Sequence, residues 1–263
     1  MLNYSFIVQK ARESRIDRIT IFREYWQLLL LQRLYLMRGS EHFFFKGGTA
    51  IRFLLGSFRF SEDLDFTSTA NKKSGEQIIS DLFSYFQKNT NTRMELKKES
   101  VALKFVEESV RFRYLLIPPG SKNKVSIRID LSFREKPKNT EQTVLIPFDY
   151  PITPYPLVIH FQSKEILAEK IRALFIRGKP RDLFDIWFLL TKNISLDVKL
   201  IKEKFRLYPQ VHFTYEELIK IVGNFDVDEL KKDLNQFLPE NFRMLYKNLP
   251  HQTIQLLSAS NIS

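Results

Sequence analysis

The sequence predicts an α+β chain, with a mixed sheet in the amino-terminal half and an all-helical carboxyl-terminal half. Three observations carry this. Before residue 150, apolar residues recur at every second position in short runs such as Val125-Ser-Ile-Arg-Ile-Asp-Leu-Ser-Phe133, the period of a half-buried strand. After residue 160 the apolar residues fall three and four apart, the period of an amphipathic helix. Between the two regimes lies a segment, 147–156, that holds four prolines and reads as a boundary. The expected domains are therefore residues 1–155 and 156–263.

Each element follows from local pattern. Ile16, Ile19, Phe22, Trp26, Leu29, Leu30 and Leu34 give a helix over 14–38, ended by Gly39-Ser40. Residues 42–46 are an apolar strand. Gly47-Gly48-Thr49 follows as a turn that opens a short helix. Residues 58–66 read as a second strand, with Phe58, Phe60, Leu64 and Phe66 on one side and Arg59, Ser61, Asp63 and Asp65 on the other. Residues 75–88 are an amphipathic helix. Strands are expected over 94–96, 101–106, 111–117, 125–133 and 143–148, broken by Pro118-Pro119-Gly120 and by Lys136-Pro137-Lys138-Asn139. Helices are expected over 163–177, 181–192, 196–207, 214–221, 226–237 and 240–257, the first capped by Ser163 and the second opened by Pro180.

Composition narrows the class. A 44% hydrophobic chain of 263 residues can bury a core. Without cysteine it has no disulfide and no thiolate metal site, and nothing in it calls for an oxidising compartment. No stretch approaches a membrane span or a signal core, so a cytoplasmic protein is the expectation. The formal charge of +11 suits a polyanionic partner such as nucleic acid; a solvated basic surface is the plainer account. The basic residues expected around the site are Lys46, Arg52, Arg59, Lys170, Arg172, Arg177, Lys179 and Arg181.

The chemistry concentrates in two stretches. Asp63 and Asp65, two apart on a strand, project together and repel each other unless a cation lies between them. Oxygen-only ligands suit Mg²⁺ or Mn²⁺. The Gly47-Gly48-Thr49 turn offers backbone N–H groups to an anion such as a triphosphate. Asp130, on the polar side of its own strand, completes a three-carboxylate metal site if the two strands are neighbours; otherwise it is a solvent-facing residue. The second stretch runs from Lys164 to Trp187. Lys170, Arg177 and Arg181 can neutralise phosphates there, with Asp182 orienting one of the cations. The alternative is that Asp182 and Asp185 serve only the dipole at a helix start and that Lys170 is an exposed residue paired with a carboxylate. The four histidines lack metal-ligand spacing, and neither GxGxxG nor a Walker A sequence is present.

Together, Phe45-Lys46-Gly47-Gly48-Thr49-Ala50, Arg59-Phe60-Ser61-Glu62-Asp63-Leu64-Asp65-Phe66, Glu169-Lys170-Ile171-Arg172-Ala173-Leu174 and Arg181-Asp182-Leu183-Phe184-Asp185 resemble the AbiEii/AbiGii-type toxins of the DNA polymerase β-like nucleotidyltransferase superfamily. The resemblance covers most of the chain. It implies a polymerase β-like core followed by a helical domain, and a toxin of a type IV toxin–antitoxin or phage-defence pair. It implies transfer from a nucleoside triphosphate, with Mg²⁺, to the tRNA acceptor end, which blocks translation. On that pattern Asp63 and Asp65 hold metal, with Asp130 as a third carboxylate that varies in the family. Lys46, Gly47, Gly48, Thr49, Arg59, Ser61, Arg177 and Arg181 form the nucleotide site, and Lys170 and Asp182 are needed for activity. A monomer with a cognate antitoxin is expected. A catalytically silent binding homologue, or a transferase acting on protein, would use the same residues.

Overall fold

A computed structural model of the protein describes residues 4–90, 92–100, 109–118, 123–145 and 148–260. The chain forms two compact units, Met1–Phe161 and Gln162–Ser263. The first contains α1 (Tyr4–Glu13), α2 (Arg18–Leu34), β1 (Phe43–Lys46), α3 (Gly47–Leu55), β2 (Asp63–Ser68) and α4 (Lys72–Asn89). It continues with β3 (Met94–Ser100), β4 (Ser109–Leu116), β5 (Val125–Ser132), β6 (Thr140–Val144) and β7 (Leu157–Phe161). The strands make one mixed sheet in the order β3-β4-β5-β2-β1-β7-β6. β2 pairs with β5, and β1 with β7, in parallel; the other pairs are antiparallel.

Period-two patterning gives the sheet two unlike faces. Phe43, Phe45, Leu64, Phe66, Phe112, Tyr114, Ile127, Ile129 and Leu131 are fully or almost fully buried. Phe66 touches the rings of Phe43 and Phe45. α2 and α4 cover this face: Tyr114 donates its hydroxyl to Ile79 O at 2.9 Å, and Trp26 meets Phe86 edge to face. The opposite face carries the charged residues.

α3 is pinned to α2 by a buried pair. Arg52 Nε and Nη2 donate to Glu24 at 2.7 and 3.0 Å, Arg52 Nη1 donates to Ser57 O at 2.7 Å, and the guanidinium lies over the Phe60 ring. Losing either charge would strand the other in a dry interior.

The second unit contains α5 (Ser163–Arg177), α6 (Pro180–Thr191), α7 (Val198–Phe205), α8 (Tyr215–Gly223), α9 (Val227–Leu234), a 3₁₀ stretch (Glu240–Lys247) and α10 (Leu249–Ala259). α6 packs on α5, α9 and α10, with Leu183, Phe184, Ile186 and Leu189 buried. Among the described residues no helix is long and apolar enough to cross a membrane.

Several expectations change. The helix expected over 14–38 is shorter, α2 at Arg18–Leu34, and α1 (Tyr4–Glu13) precedes it where no helix was expected; between them Arg15 turns left-handed at φ 51°, and Asp17 caps α2 by accepting from Thr20 N at 2.9 Å. β2 begins at Asp63, not 58, and the strand that follows the proline-rich segment, β7, continues the sheet to Phe161. The strand expected over 143–148 is observed as Thr140–Val144. The helix expected over 240–257 breaks at Asn248, where Pro250 starts α10. The strand expected over 101–106 and most of the Pro118-Pro119-Gly120 turn lie outside the described residues.

Candidate active site

The first cluster is built where β1 runs directly into α3. Gly47 has φ 82°, a conformation that glycine adopts without strain. Its missing side chain also makes room: a Cβ there would lie 2.1 Å from Asp65 Oδ2. A Cβ on Gly48 would lie 2.4 Å from Arg59 Nη2 and 3.0 Å from Ser61 Oγ. The two glycines thus let a carboxylate, a guanidinium and a hydroxyl close over the first turn of α3. Lys46 gives no side-chain cap there, and the N–H groups of a first turn have no intrahelical acceptor.

Asp63 and Asp65 share the charged face of β2, with Leu64 and Phe66 buried on the other. β5 lies beside β2 in parallel, and its register sets Asp130 against Asp65 and Arg128 against Asp63. The repulsion expected between these carboxylates is relieved by arginines. Arg128 donates to both oxygens of Asp63, at 2.5 and 2.7 Å. Arg111 does the same for Asp130, at 2.7 and 2.9 Å. Sequence reasoning passed over both arginines, although each occupies a polar position of a period-two run.

Among the described residues no three His, Asp or Glu side chains converge on one point. The fit to a metal rests on Asp63 and Asp65. Two carboxylates completed by substrate phosphates and water is a common way to hold Mg²⁺, so the pair fits.

Other residues expected at the nucleotide are occupied elsewhere. Lys46 reaches Glu135 at 3.1 Å. Thr49 is buried and donates its hydroxyl to Asp63 O, tying α3 to β2. Arg52, counted with the basic residues near the site, is the buried partner of Glu24.

The second cluster lies at the α5–α6 turn. Lys170 is buried, so it is not the exposed helix residue of the plainer reading. Its Nζ lies 2.7 Å from Asp185 and 3.3 Å from Asp182, both carboxylates being buried. Arg177 donates to Asp182 through Nε and Nη2, at 2.6 and 2.8 Å. Burial alone would push the Asp182 carboxyl up, but the Lys170 and Arg177 charges outweigh it and hold the group down at about 2. Asp182 is therefore the hub of an ion cluster, more than a helix-start charge. Arg181 turns to Asp233 and the Phe237 ring, and Arg172 to Glu169 and Tyr208.

Comparison with known proteins gives this arrangement a context. The fold is similar to that of MenT4, a nucleotidyltransferase toxin from Mycobacterium tuberculosis H37Rv. The TM-score is 0.67 at 16% identity, over 99% of this chain and 91% of that one. It is also similar to that of JHP933 from Helicobacter pylori, with a TM-score of 0.55 at 20% identity over 92% of each chain. At such identities the likeness is one of fold. No curated protein matches the chain. The family described as "Nucleotidyl transferase AbiEii toxin, Type IV TA system" matches residues 29–251, a span that takes in both clusters. The chain belongs to this AbiEii family of nucleotidyl transferase toxins of type IV toxin–antitoxin systems.

Proposed function

We propose that this protein is an active nucleotidyltransferase that joins a nucleotide from a nucleoside triphosphate to an RNA acceptor, the 3′ end of tRNA, and so halts translation. The observation that carries the reading is the placing of Asp63 and Asp65 on one strand face, with Asp65 directly over Gly47 at the start of α3. The first-turn N–H groups of α3, with Arg59 and Ser61 over Gly48, would bind the triphosphate. Asp63 and Asp65 would hold Mg²⁺ or Mn²⁺. When bound, the metal would neutralise charge on the phosphates and on the attacking oxygen. Asp130 is the third carboxylate of the proposal, available once Arg111 releases it. The acceptor hydroxyl attacks the α-phosphorus and pyrophosphate leaves. Lys170 and Asp182 compensate each other's charge; their part is to hold the α5–α6 turn in shape and to present Arg177, whose side chain is 52% exposed, to phosphate. A type IV toxin implies a cognate antitoxin, and we place the pair in the cytoplasm, in growth control or phage defence, with the toxin a monomer.

A second reading is a catalytically silent nucleotide-binding homologue. It is favoured by the two arginine–carboxylate pairs, which compensate Asp63 and Asp130 without metal. The test uses α-labelled triphosphates, Mg²⁺ and total tRNA. Active transfer gives label that ribonuclease removes and protease does not, and none with Asp63→Asn or Asp65→Asn. Triphosphate binding without label supports the silent reading. Label that only protease removes overturns the RNA acceptor.

A further inference from the structure

The charged face of the sheet extends well beyond the carboxylates. Reading across β3, β4, β5 and β2 in register, Lys97 stands opposite Arg113, Arg113 opposite Arg128, and Arg128 opposite Asp63. Residues opposite one another in a ladder share a face and lie within about 5.5 Å. The row therefore sets three cations side by side and ends on a carboxylate of the candidate active site. At about 4.8 Å per strand it covers about 10 Å from β3 to β5.

Like charges placed directly opposite each other destabilise a sheet. Arg128 is offset by Asp63 and by Glu62 at 3.8 Å, so the row runs from this compensated pair on to the basic side chains of Arg113 and Lys97. The neighbouring row is of mixed sign: Arg111 faces Asp130, Asp130 faces Asp65, and Asp65 faces Lys46. Of these two rows, the one rich in cations leads to Asp63.

Water reaches it. Lys97 is exposed at the edge of the sheet, Arg113 is half-buried, and the Arg128 and Asp63 side chains are 29% and 23% exposed. By contrast, the basic residues nearest the glycine turn in sequence, Lys46, Arg52 and Arg59, are buried. Part of the positive charge behind the net +11 thus lies, reachable by water, on β3–β5.

We infer that the Lys97–Arg113–Arg128 row is the track on which the backbone of an RNA acceptor strand lies as its end enters the site at Asp63 and Asp65. The inference rests on the RNA-acceptor reading above and adds to it the surface the acceptor uses. The chemistry is that of a positively charged groove following a phosphate backbone. The geometry sets this track apart from the triphosphate site, which lies over the first turn of α3.

The test measures binding of fluorescent total tRNA, without nucleoside triphosphate, to the full chain and to three variants. These are Lys97→Glu, the double variant Lys97→Glu/Arg113→Gln, and Lys220→Glu as a charge-matched control on α8, where the Lys220 side chain is 67% exposed. The expected result is RNA affinity about tenfold lower or worse in the double variant, with Lys97→Glu intermediate and Lys220→Glu near the parent. The slope of log affinity against log salt becomes shallower by about 0.7 for each phosphate that is no longer neutralised. Triphosphate affinity, measured separately, is unchanged in all three.

Equal losses in Lys97→Glu and Lys220→Glu overturn the track, because net charge alone then explains them. So does unchanged RNA affinity in the double variant, or a parallel loss of triphosphate affinity. Failure of the underlying reading looks different: the parent chain then gives no RNA-linked label whatever the variants bind. If the parent binds no RNA at all, both fall.

Discussion

Replacing Lys170 with methionine removes one charge from the ion cluster at the α5–α6 turn while keeping most of the side chain's length. Two buried carboxylates lose their shared ammonium, which lies 2.7 Å from Asp185 and 3.3 Å from Asp182. Asp182 keeps both hydrogen bonds from Arg177, so its carboxylate is not stranded. Breaking a buried pair by removing one partner costs about 3–5 kcal/mol; with Arg177 still in place, about 3 kcal/mol is expected for Lys170→Met. The chain has two tryptophans. Trp26 lies in the first unit and Trp187, on α6, in the second, so urea unfolding read by Trp187 fluorescence in a Trp26→Phe background reports on the helical unit. With slopes of about 1–3 kcal/mol per molar urea, a loss of about 3 kcal/mol lowers the midpoint by about 1–3 M. A fall of less than about 0.5 M would refute the idea that Lys170 is the charge on which this cluster depends.

Three further outcomes are expected. The Asp182 carboxyl, held at about 2 against an ordinary 3.8, contributes about 2 kcal/mol to the folded helical unit. Because its folded value is depressed, that contribution is complete above pH 4 and is lost as pH falls from about 4 towards 2; acid unfolding followed at Trp187 in Asp182→Asn should lack this component. Gly47→Ala puts a Cβ 2.1 Å from Asp65 Oδ2 at φ 82°; it should cost about 1 kcal/mol in backbone strain and reduce nucleotide transfer by about a hundredfold or more, since the displaced carboxylate is the proposed metal ligand, with circular dichroism unchanged. Asp63→Ala should abolish transfer and change stability by no more than about 1 kcal/mol, because the pair it breaks with Arg128 is partly exposed; carboxylate repulsion alone would have had stability hold or rise.

The legible parts of this fold were those where one period runs uninterrupted. β5 alternates cleanly from Val125 to Ser132, and its boundary was readable to within a residue. α5 ran from 163 to 177 as its spacing requires. Less legible were places where two patterns meet. Phe58 and Phe60 continue the alternation of Leu64 and Phe66, yet β2 starts only at Asp63, because the preceding chain leaves the ladder to bring Arg59 and Ser61 over Gly48. The start of α2 at Arg18 was read four residues early, although Asp17 three residues before Thr20 is a capping signal, and α1 was not read at all. At the site, Gly47-Gly48 and Asp63-Leu64-Asp65 pointed to the chemistry proposed above, and the structure brings them together. The partners could not. That Arg128 holds Asp63, Arg111 holds Asp130 and Glu24 takes Arg52 out of reach depends on strand register and helix packing, which join residues 19 to 65 positions apart.

The central claim is that the carboxylates of β2, over the glycine turn of α3, transfer a nucleotide to RNA. Intact-mass spectrometry of tRNA incubated with the protein, Mg²⁺ and each triphosphate in turn tests it most directly. The account predicts tRNA heavier by one or more nucleoside monophosphate residues at its 3′ end, pyrophosphate released in equal amount, and no mass change with Asp65→Asn. Unchanged tRNA with a nucleotide adduct on a protein, or tRNA extended equally by Asp65→Asn, would contradict it.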